Sequence, residues 1–247
     1  MSIWVLSDLH LAFSNPAKDM SFFGPSWEGY MQKIEKAWKE RISSHDLVLI
    51  PGDISWAMKL VEAKNDLDWI DHLPGTKVII KGNHDYWWAS KAKMDAFLPS
   101  SIHAIQNDVF NFGDITIGGT RLWDTQEYNF APFIEMRENP RERKENKPSV
   151  EEDQKIFQRD LDRLRQSLSQ LNPNASLRIA MTHYPPIGAD LMPSAASKIL
   201  EEYKVDVCVF GHLHSLRKNS LTFGIARGVN YIFASADYLE FIPIKIR

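Results

Sequence analysis

Apolar residues along the chain follow two periodicities. Short unbroken runs come first, at 3–6, 47–50 and 78–80. Runs of this length without alternation predict central strands covered on both faces. Between them the spacing changes. Tyr30, Ile34, Trp38 and Ile42 recur every fourth residue, and Leu60, Ala63, Leu67 and Ile70 every third or fourth. Each series marks one buried helix face. Strand, helix, strand, helix, strand is the order of βαβ units and predicts a largely parallel sheet.

The middle of the chain reads differently. Val109, Phe112, Ile115 and Ile117 flank Gly113-Asp114, which predicts a hairpin. Residues 127–147 are polar, dense in charges of both signs and interrupted by prolines, a solvated excursion by default and a substrate lid only as a minority reading. Ser149 and Glu152 then have the spacing of a capping box. Phe157, Leu161, Leu164, Leu168 and Leu171 follow as a helical stripe, with Asn172-Pro173 as its stop. Apolar runs resume at 178–182 and 205–210. The tail, with Val229 to Phe233 and Tyr238 to Ile246, reads as β-rich and antiparallel. No repeat or linker divides the sequence. Residues 1–247 are expected to form one domain, with the charged excursion and helix at about 127–171.

Composition narrows the classes. The 247 residues are 44% hydrophobic and 25% charged, enough for a sizeable core. A net charge of −3 supplies no global field for holding nucleic acid, so nucleic acid is not an expected partner. One cysteine, Cys208, excludes an intrachain disulfide and suits a reducing compartment, so a cytoplasmic location is expected. Within its apolar run it reads as a core residue. The first residues lack the pattern of a signal peptide, and no apolar run approaches membrane-spanning length. Oligomeric state leaves no mark in the sequence.

The polar residues that end the apolar runs change the picture most. They are Asp8-Leu9-His10, Gly52-Asp53, Gly82-Asn83-His84-Asp85, His183 and Gly211-His212-Leu213-His214. Alone, each is a turn or an ordinary histidine. Together they hold five of the eight histidines, leaving out only His45, His72 and His103. If the runs are neighbouring strands, their carboxyl ends share one sheet edge, where open α/β sheets bind ligands. Oxygen and imidazole donors without thiolate suit Mn, Fe or Zn. The donors outnumber the needs of one four-coordinate ion. Two ions with open positions use them all, and a carboxylate can bridge the pair. Gly52 and Gly211 would let backbone approach closely at this edge. Two adjacent cations clamp the attacking and leaving oxygens of a phosphoryl displacement and acidify bound water. The reaction class is metal-assisted hydrolysis of a phosphate ester or anhydride.

These motifs, in this order from Asp8 to His214, resemble those of the calcineurin-like metallophosphoesterase superfamily. The resemblance implies an α/β fold, a four-layer αββα sandwich with mixed sheets. It implies two divalent ions per chain: Asp8, His10 and His214 on the first, Asn83, His183 and His212 on the second, and Asp53 between them. It implies that hydroxide generated at the metals attacks the phosphoester. His84 would protonate the leaving group, with Asp85 orienting His84 and favouring its charged form. Adjacent side chains do not readily reach one ion, so His84 beside Asn83 suits a proton donor.

Arg121, after Gly118-Gly119, is a weaker candidate for holding a substrate phosphate beside Asn83 and His84; a surface ion pair is its ordinary alternative. Trp56, Trp87, Trp88 and Trp123 could rim a substrate site or pack the core. The expected substrate is a small or medium phosphoester, foremost a phosphodiester. The alternatives are a phosphomonoesterase, including a protein phosphatase, a nucleotide or lipid pyrophosphohydrolase, and a non-catalytic scaffold on the same fold. Specificity is expected in the loops at 14–27 and 126–148.

Overall fold

Each unbroken apolar run forms a strand whose alternate residues enter different cores. In β2 (Leu47–Ile50), Leu47 and Leu49 face one core while Val48 and Ile50 face another. This is why the run has no polar face. The computed structural model describes residues 1–135, 149–221 and 223–247. The core of the excursion, residues 136–148, lies outside the described residues, and so does the lid reading that rests on it.

The first sheet is built from β1 (Ile3–Val5), β2, β3 (Thr76–Ile79) and β4 (Ile102–Ala104), all parallel. The short β11 (Ile244–Lys245) pairs antiparallel with β1 at its edge, giving the order β11-β1-β2-β3-β4. Helices α1 (Tyr30–Arg41), α2 (Lys64–His72) and α3 (Lys91–Phe97) connect the parallel strands. Ile34, Trp38, Leu67, Ile70 and Met94 from these helices pack on Val48, Ile50 and Ile79.

The predicted hairpin forms as β5 (Val109–Phe112) and β6 (Ile115–Thr120), with Gly113 in the left-handed region at the turn. It opens a second sheet that continues with β7 (Leu177–Thr182), β8 (Val207–Phe210), β9 (Ile225–Ala226) and β10 (Val229–Phe233). The order is β5-β6-β7-β8-β10-β9, with β6, β7, β8 and β10 parallel. Helices α4 (Val150–Leu168) and α5 (Ala195–Glu202) cover its outer face through Leu161, Leu164, Leu168, Ile199 and Leu200. The Ser149–Glu152 capping box opens α4 as predicted. The helix ends at Leu168, before Asn172, because tightened turns from Gln170 to Ser167 and from Leu171 to Leu168 replace the helical ladder. Leu171 stays buried.

The inner faces of the sheets meet in a third core. Val5, Leu49 and Val78 pack there with Ile117, Ile179, Met181 and Val209. The layers are therefore helix, sheet, sheet, helix, the αββα sandwich. Cys208 is buried in the outer core of the second sheet, which pushes its thiol up to about 12. No helix among the described residues is long and apolar enough to cross a membrane.

The antiparallel reading of the tail holds for β11 on β1 and for β9 on β10 but fails where β10 joins the second sheet. β10 runs parallel to β8 and pairs antiparallel only with the short β9. Parallel pairing brings the carboxyl end of β10 to the edge shared by the other strands. There Ser7, just past β1, bridges Ser235, just past β10. The Ser7 N–H donates to Ala234 O at 2.8 Å and the Ala236 N–H to Ser7 O at 3.0 Å. This seam joins the two sheets beside the polar motifs.

Candidate metal centre

The seven residues expected to hold metals converge at that seam. Asp8, His10, Asp53 and Asn83 come from the first sheet, and His183, His212 and His214 from the second. Four of these seven, Asp8, His10, Asp53 and His212, have backbone φ between 45° and 74°, in the left-handed region that non-glycine residues rarely adopt. Hydrogen bonds between loops hold two of them there. Asp8 N–H donates to Gly52 O at 3.1 Å, and His10 N–H to Asp53 O at 2.9 Å.

The donor atoms form two groups that share one carboxylate. In the first, His10 Nε2 and His214 Nε2 face each other at 3.1 Å, and Asp8 Oδ1 lies 3.6 Å from His214 Nε2. One atom from each of Asp8, His10, Asp53 and His214 fits within a mutual separation of 4.8 Å. In the second group, Asn83 Oδ1 lies 2.6 Å from His183 Nε2 and 3.0 Å from His212 Nδ1. Asp53 Oδ2 lies 3.7 Å from His10 Nε2 and 3.4 Å from His183 Nε2, so it reaches both groups.

Two glycines make this crowding possible. A Cβ on Gly211 would meet Asp8 Oδ2 at 2.1 Å, and Gly52, at φ 99°, has Gly82 backbone and the His183 ring against it. Without a side chain at 211, the His212 N–H reaches both Asp8 oxygens at 3.1 Å. The residues fit a pair of divalent ions on these grounds: buried oxygen and imidazole donors, no thiolate, two convergent groups and one shared carboxylate.

Outer partners fix the imidazoles. His183 Nδ1–H donates to Pro51 O at 2.9 Å, which turns Nε2 toward Asn83 and Asp53. His214 Nδ1–H donates to Asp237 Oδ1 at 3.0 Å, leaving Nε2 toward His10. Burial alone would depress both histidines. The Asp53 charge overrides it for His183 and the Asp237 charge for His214, raising each to about 9. His10 and His212 respond to burial instead and are held well below the ordinary value, neutral and ready to donate a lone pair. Burial pushes Asp53 up, but His183 beside it prevails and keeps it ionised.

Asp237 and Ser235 were not among the sequence candidates. Ser235 Oγ donates to Asp8 Oδ2 at 2.9 Å, and Asp237 takes the Ser215 N–H as well as His214. Their signal was present, since Ser-Ala-Asp ends the apolar run of β10 as the other motifs end theirs. Asp237→Asn is expected to weaken metal binding by about 10–100-fold, because a carboxylate behind a ligating imidazole orients it and raises its basicity. Competition with a chromophoric chelator measures this, and unchanged affinity would show that Asp237 does not support the site.

His84 stands apart from both donor groups. Its backbone N–H donates to Asp53 Oδ1 at 2.8 Å. Its ring lies 4.6 Å from the Trp56 ring and 5.8 Å from the His10 ring, centroid to centroid. Asp85 Oδ1 accepts from the Ile54 and Ser55 N–H groups and the Trp87 indole, and Oδ2 from the Gly82 N–H. These bonds tie the loop after β2 to the loop after β3. Asp85 therefore sits at the tie between these two loops, next to His84 in the chain. Burial pushes Asp85 up to about 6, and its four donors hold the ionised form at neutral pH.

The tryptophans divide by role. Trp56 stacks on His10 at 5.0 Å and 21°. Trp27, from the loop at 14–27, lies edge-on to His10 and His214 at 6.1 and 5.9 Å. Trp87 is buried against Asp85, and Trp88 donates to Gln106 Oε1 at 3.2 Å. Trp123 lies under the Arg121 guanidinium at 4.6 Å. Arg121 is outside both donor groups; its Nη2 is 3.5 Å from Asp160 Oδ2.

Comparison with known proteins agrees with this geometry. The calcineurin-like phosphoesterase family profile matches residues 1–216. The Gene 66 protein of Mycobacterium phage D29 is 33% identical over 84 residues, 34% of this chain and 40% of that protein. The Gene 66 protein of Mycobacterium phage L5 is 33% identical over 82 residues, 33% of this chain and 39% of that protein. The chain therefore spans less than half the length of the curated relatives it matches. Two solved structures share the fold at 14% identity, each alignment covering 99% of this chain and 95% of the other. They are a protein of unknown function from Aquifex aeolicus, with a TM-score of 0.50, and the phosphopantetheinyl hydrolase of Mycobacterium tuberculosis, with a TM-score of 0.51. With the family profile matched across most of its length, the chain belongs to the calcineurin-like phosphoesterase family.

Proposed function

We propose that this protein is a phosphodiesterase with a dinuclear centre, in which Asp8, His10 and His214 hold one ion, Asn83, His183 and His212 hold the other, and Asp53 bridges them. The observation that carries this reading is the pair of donor groups joined through Asp53 Oδ2. When bound, the two ions supply an activated water and offset charge on the phosphoryl oxygens. The chain's own residues do the rest. Asp53 fixes the spacing between the groups. His84, beside the first group and held by its backbone to Asp53, protonates the departing ester oxygen as the P–O bond breaks. It recovers its proton from solvent.

An ester substituent has a place beside the second group. A cavity of about 270 Å³ is lined by Trp123, Tyr128, Phe130, Tyr184 and His212, with the Tyr184 and His212 rings 3.9 Å apart. Aromatic walls favour an organic group on phosphorus over bare phosphate oxygen. The scaffold alternative is disfavoured because every motif position, His84 included, carries its reactive residue.

Hydrolysis of bis-para-nitrophenyl phosphate and para-nitrophenyl phosphate, with Mn, Fe or Zn supplied, tests the proposal. Turnover of the diester that EDTA abolishes is expected. Faster turnover of the monoester would overturn the diester assignment. Inactivity in protein shown to hold two metals would favour the scaffold.

A further inference from the structure

A second cavity lies at the ends of β3 and β6 and differs from the aromatic one in charge. Its volume is about 450 Å³, and its wall includes Lys81, Arg121, Arg159 and Arg163. Ser90, Gln106 and Asn107 add neutral polar groups. The cations come from three places in the fold: Lys81 past β3, Arg121 past β6, and Arg159 and Arg163 one turn apart on α4. Three of them converge on one carboxylate. Asp160 is 1% exposed, and it lies 2.9 Å from Arg163 Nη1, 3.5 Å from Arg159 Nε and 3.5 Å from Arg121 Nη2.

A structural ion pair accounts for only part of this. One arginine suffices to satisfy a buried aspartate, and each further guanidinium adds repulsion that Asp160 does not offset. Among the described residues, Asp160 and, at Lys81, Asp85 oppose these four cations, leaving a net positive charge around the cavity in a chain whose net charge is −3. Each guanidinium has five N–H donors in a fixed fork, and Asp160 occupies only part of each set. Arg121 is braced against Trp123, which holds its plane. Planar, braced and in excess, these groups suit a tetrahedral anion.

The cavity also has a defined relation to the reaction centre. Lys81 precedes Asn83 by two residues, and the Arg121 carbonyl accepts the N–H groups of His183 at 3.1 Å and Tyr184 at 2.9 Å. We infer that the cavity bounded by Lys81, Arg121, Arg159 and Arg163 binds a second phosphate of the substrate, apart from the one that is hydrolysed. This inference rests on the phosphodiesterase reading and narrows it to bisphosphorylated substrates, such as nucleoside bisphosphate esters.

Two para-nitrophenyl esters of thymidine 5′-phosphate, one with and one without a 3′-phosphate, share a scissile bond and differ only in the distal anion. The metal-loaded protein is expected to show a KM about tenfold lower for the 3′-phosphorylated ester, with similar kcat. Calorimetry with thymidine 3′,5′-bisphosphate and thymidine 5′-phosphate reads the same preference without turnover. The double variant Arg159→Gln/Arg163→Gln, at side chains 50% and 41% exposed, should bring both ratios near one. Arg165→Gln, on the same helix but paired with Asp162, should leave them as they are. Equal affinities in the unaltered protein, or ratios that survive the double variant, would overturn the inference. If neither ester is hydrolysed but the calorimetric preference holds and is lost in the double variant, the second-phosphate site stands and the phosphodiesterase reading fails. Turnover of both esters with no preference gives the reverse.

Discussion

Replacing His84 with asparagine is expected to leave two metal equivalents in place while lowering kcat on the order of 10²–10⁴-fold for an alkyl phosphodiester. The retention follows from geometry. The His84 ring belongs to neither donor group, and asparagine preserves its backbone bond to Asp53. The loss follows from the leaving group. An alkoxide departs poorly without a proton, and asparagine has none to give. The defect should shrink with para-nitrophenyl esters, whose leaving group departs as a stable anion. Elemental analysis and kinetics with the two kinds of ester settle the matter. A near-normal rate with an alkyl ester, or loss of a metal, would sink the proton-donor role.

Asp53→Asn should act on the opposite quantity. Asp53 Oδ2 stands between His10 and His183, and Oδ1 takes the His84 N–H. An amide has one oxygen and no charge, so it cannot serve both groups and also hold the His84 backbone. Metal content should fall from two equivalents to one or fewer. The kcat/KM should drop by at least about 10³, corresponding to roughly 4 kcal/mol of lost transition-state stabilisation. A variant that keeps two metals and its rate would remove Asp53 from the bridge. Because the same preparation should lose its activity almost completely, it also guards against a contaminating phosphatase.

The strands and helices of the first sheet were legible because continuous burial and helical spacing are local properties. Leu47 to Ile50 is apolar throughout because it feeds two cores at once. The seven metal-holding candidates were legible for a related reason, as parallel strands deliver their carboxyl ends to one edge. Asp237 and Ser235 were missed through strand direction. An antiparallel tail would have put Ser235 and Asp237 at the far end of the sheet, and only the parallel pairing of β10 with β8 returns them to Asp8 and His214. Strand direction depends on pairing partners, which spacing does not encode. The backbone partners of Asp85 were not legible for a similar reason. Adjacency to His84 in sequence says nothing about where a carboxylate points, and its partners Ile54 and Ser55 are 31 and 30 positions away. Arg121 was read as a single phosphate contact because Arg159 and Arg163 join it only when α4 packs on the second sheet.

The seam between the sheets bears on the order of events during folding. His10 and His214 face each other across 204 positions of chain, and His183 meets the Pro51 carbonyl across 132. A zinc finger folds around its ion because the ligands are near neighbours in sequence, and metal binding offsets the cost of closing a short loop. Here the loops are long, and the segment after β10, late in the chain, carries Ser235 and Asp237 behind two of the candidate ligands. No partial chain that lacks the second sheet presents either complete donor group. Metal capture must therefore follow chain collapse, and the protein's topology is specified by its apolar strands before any ion can contribute.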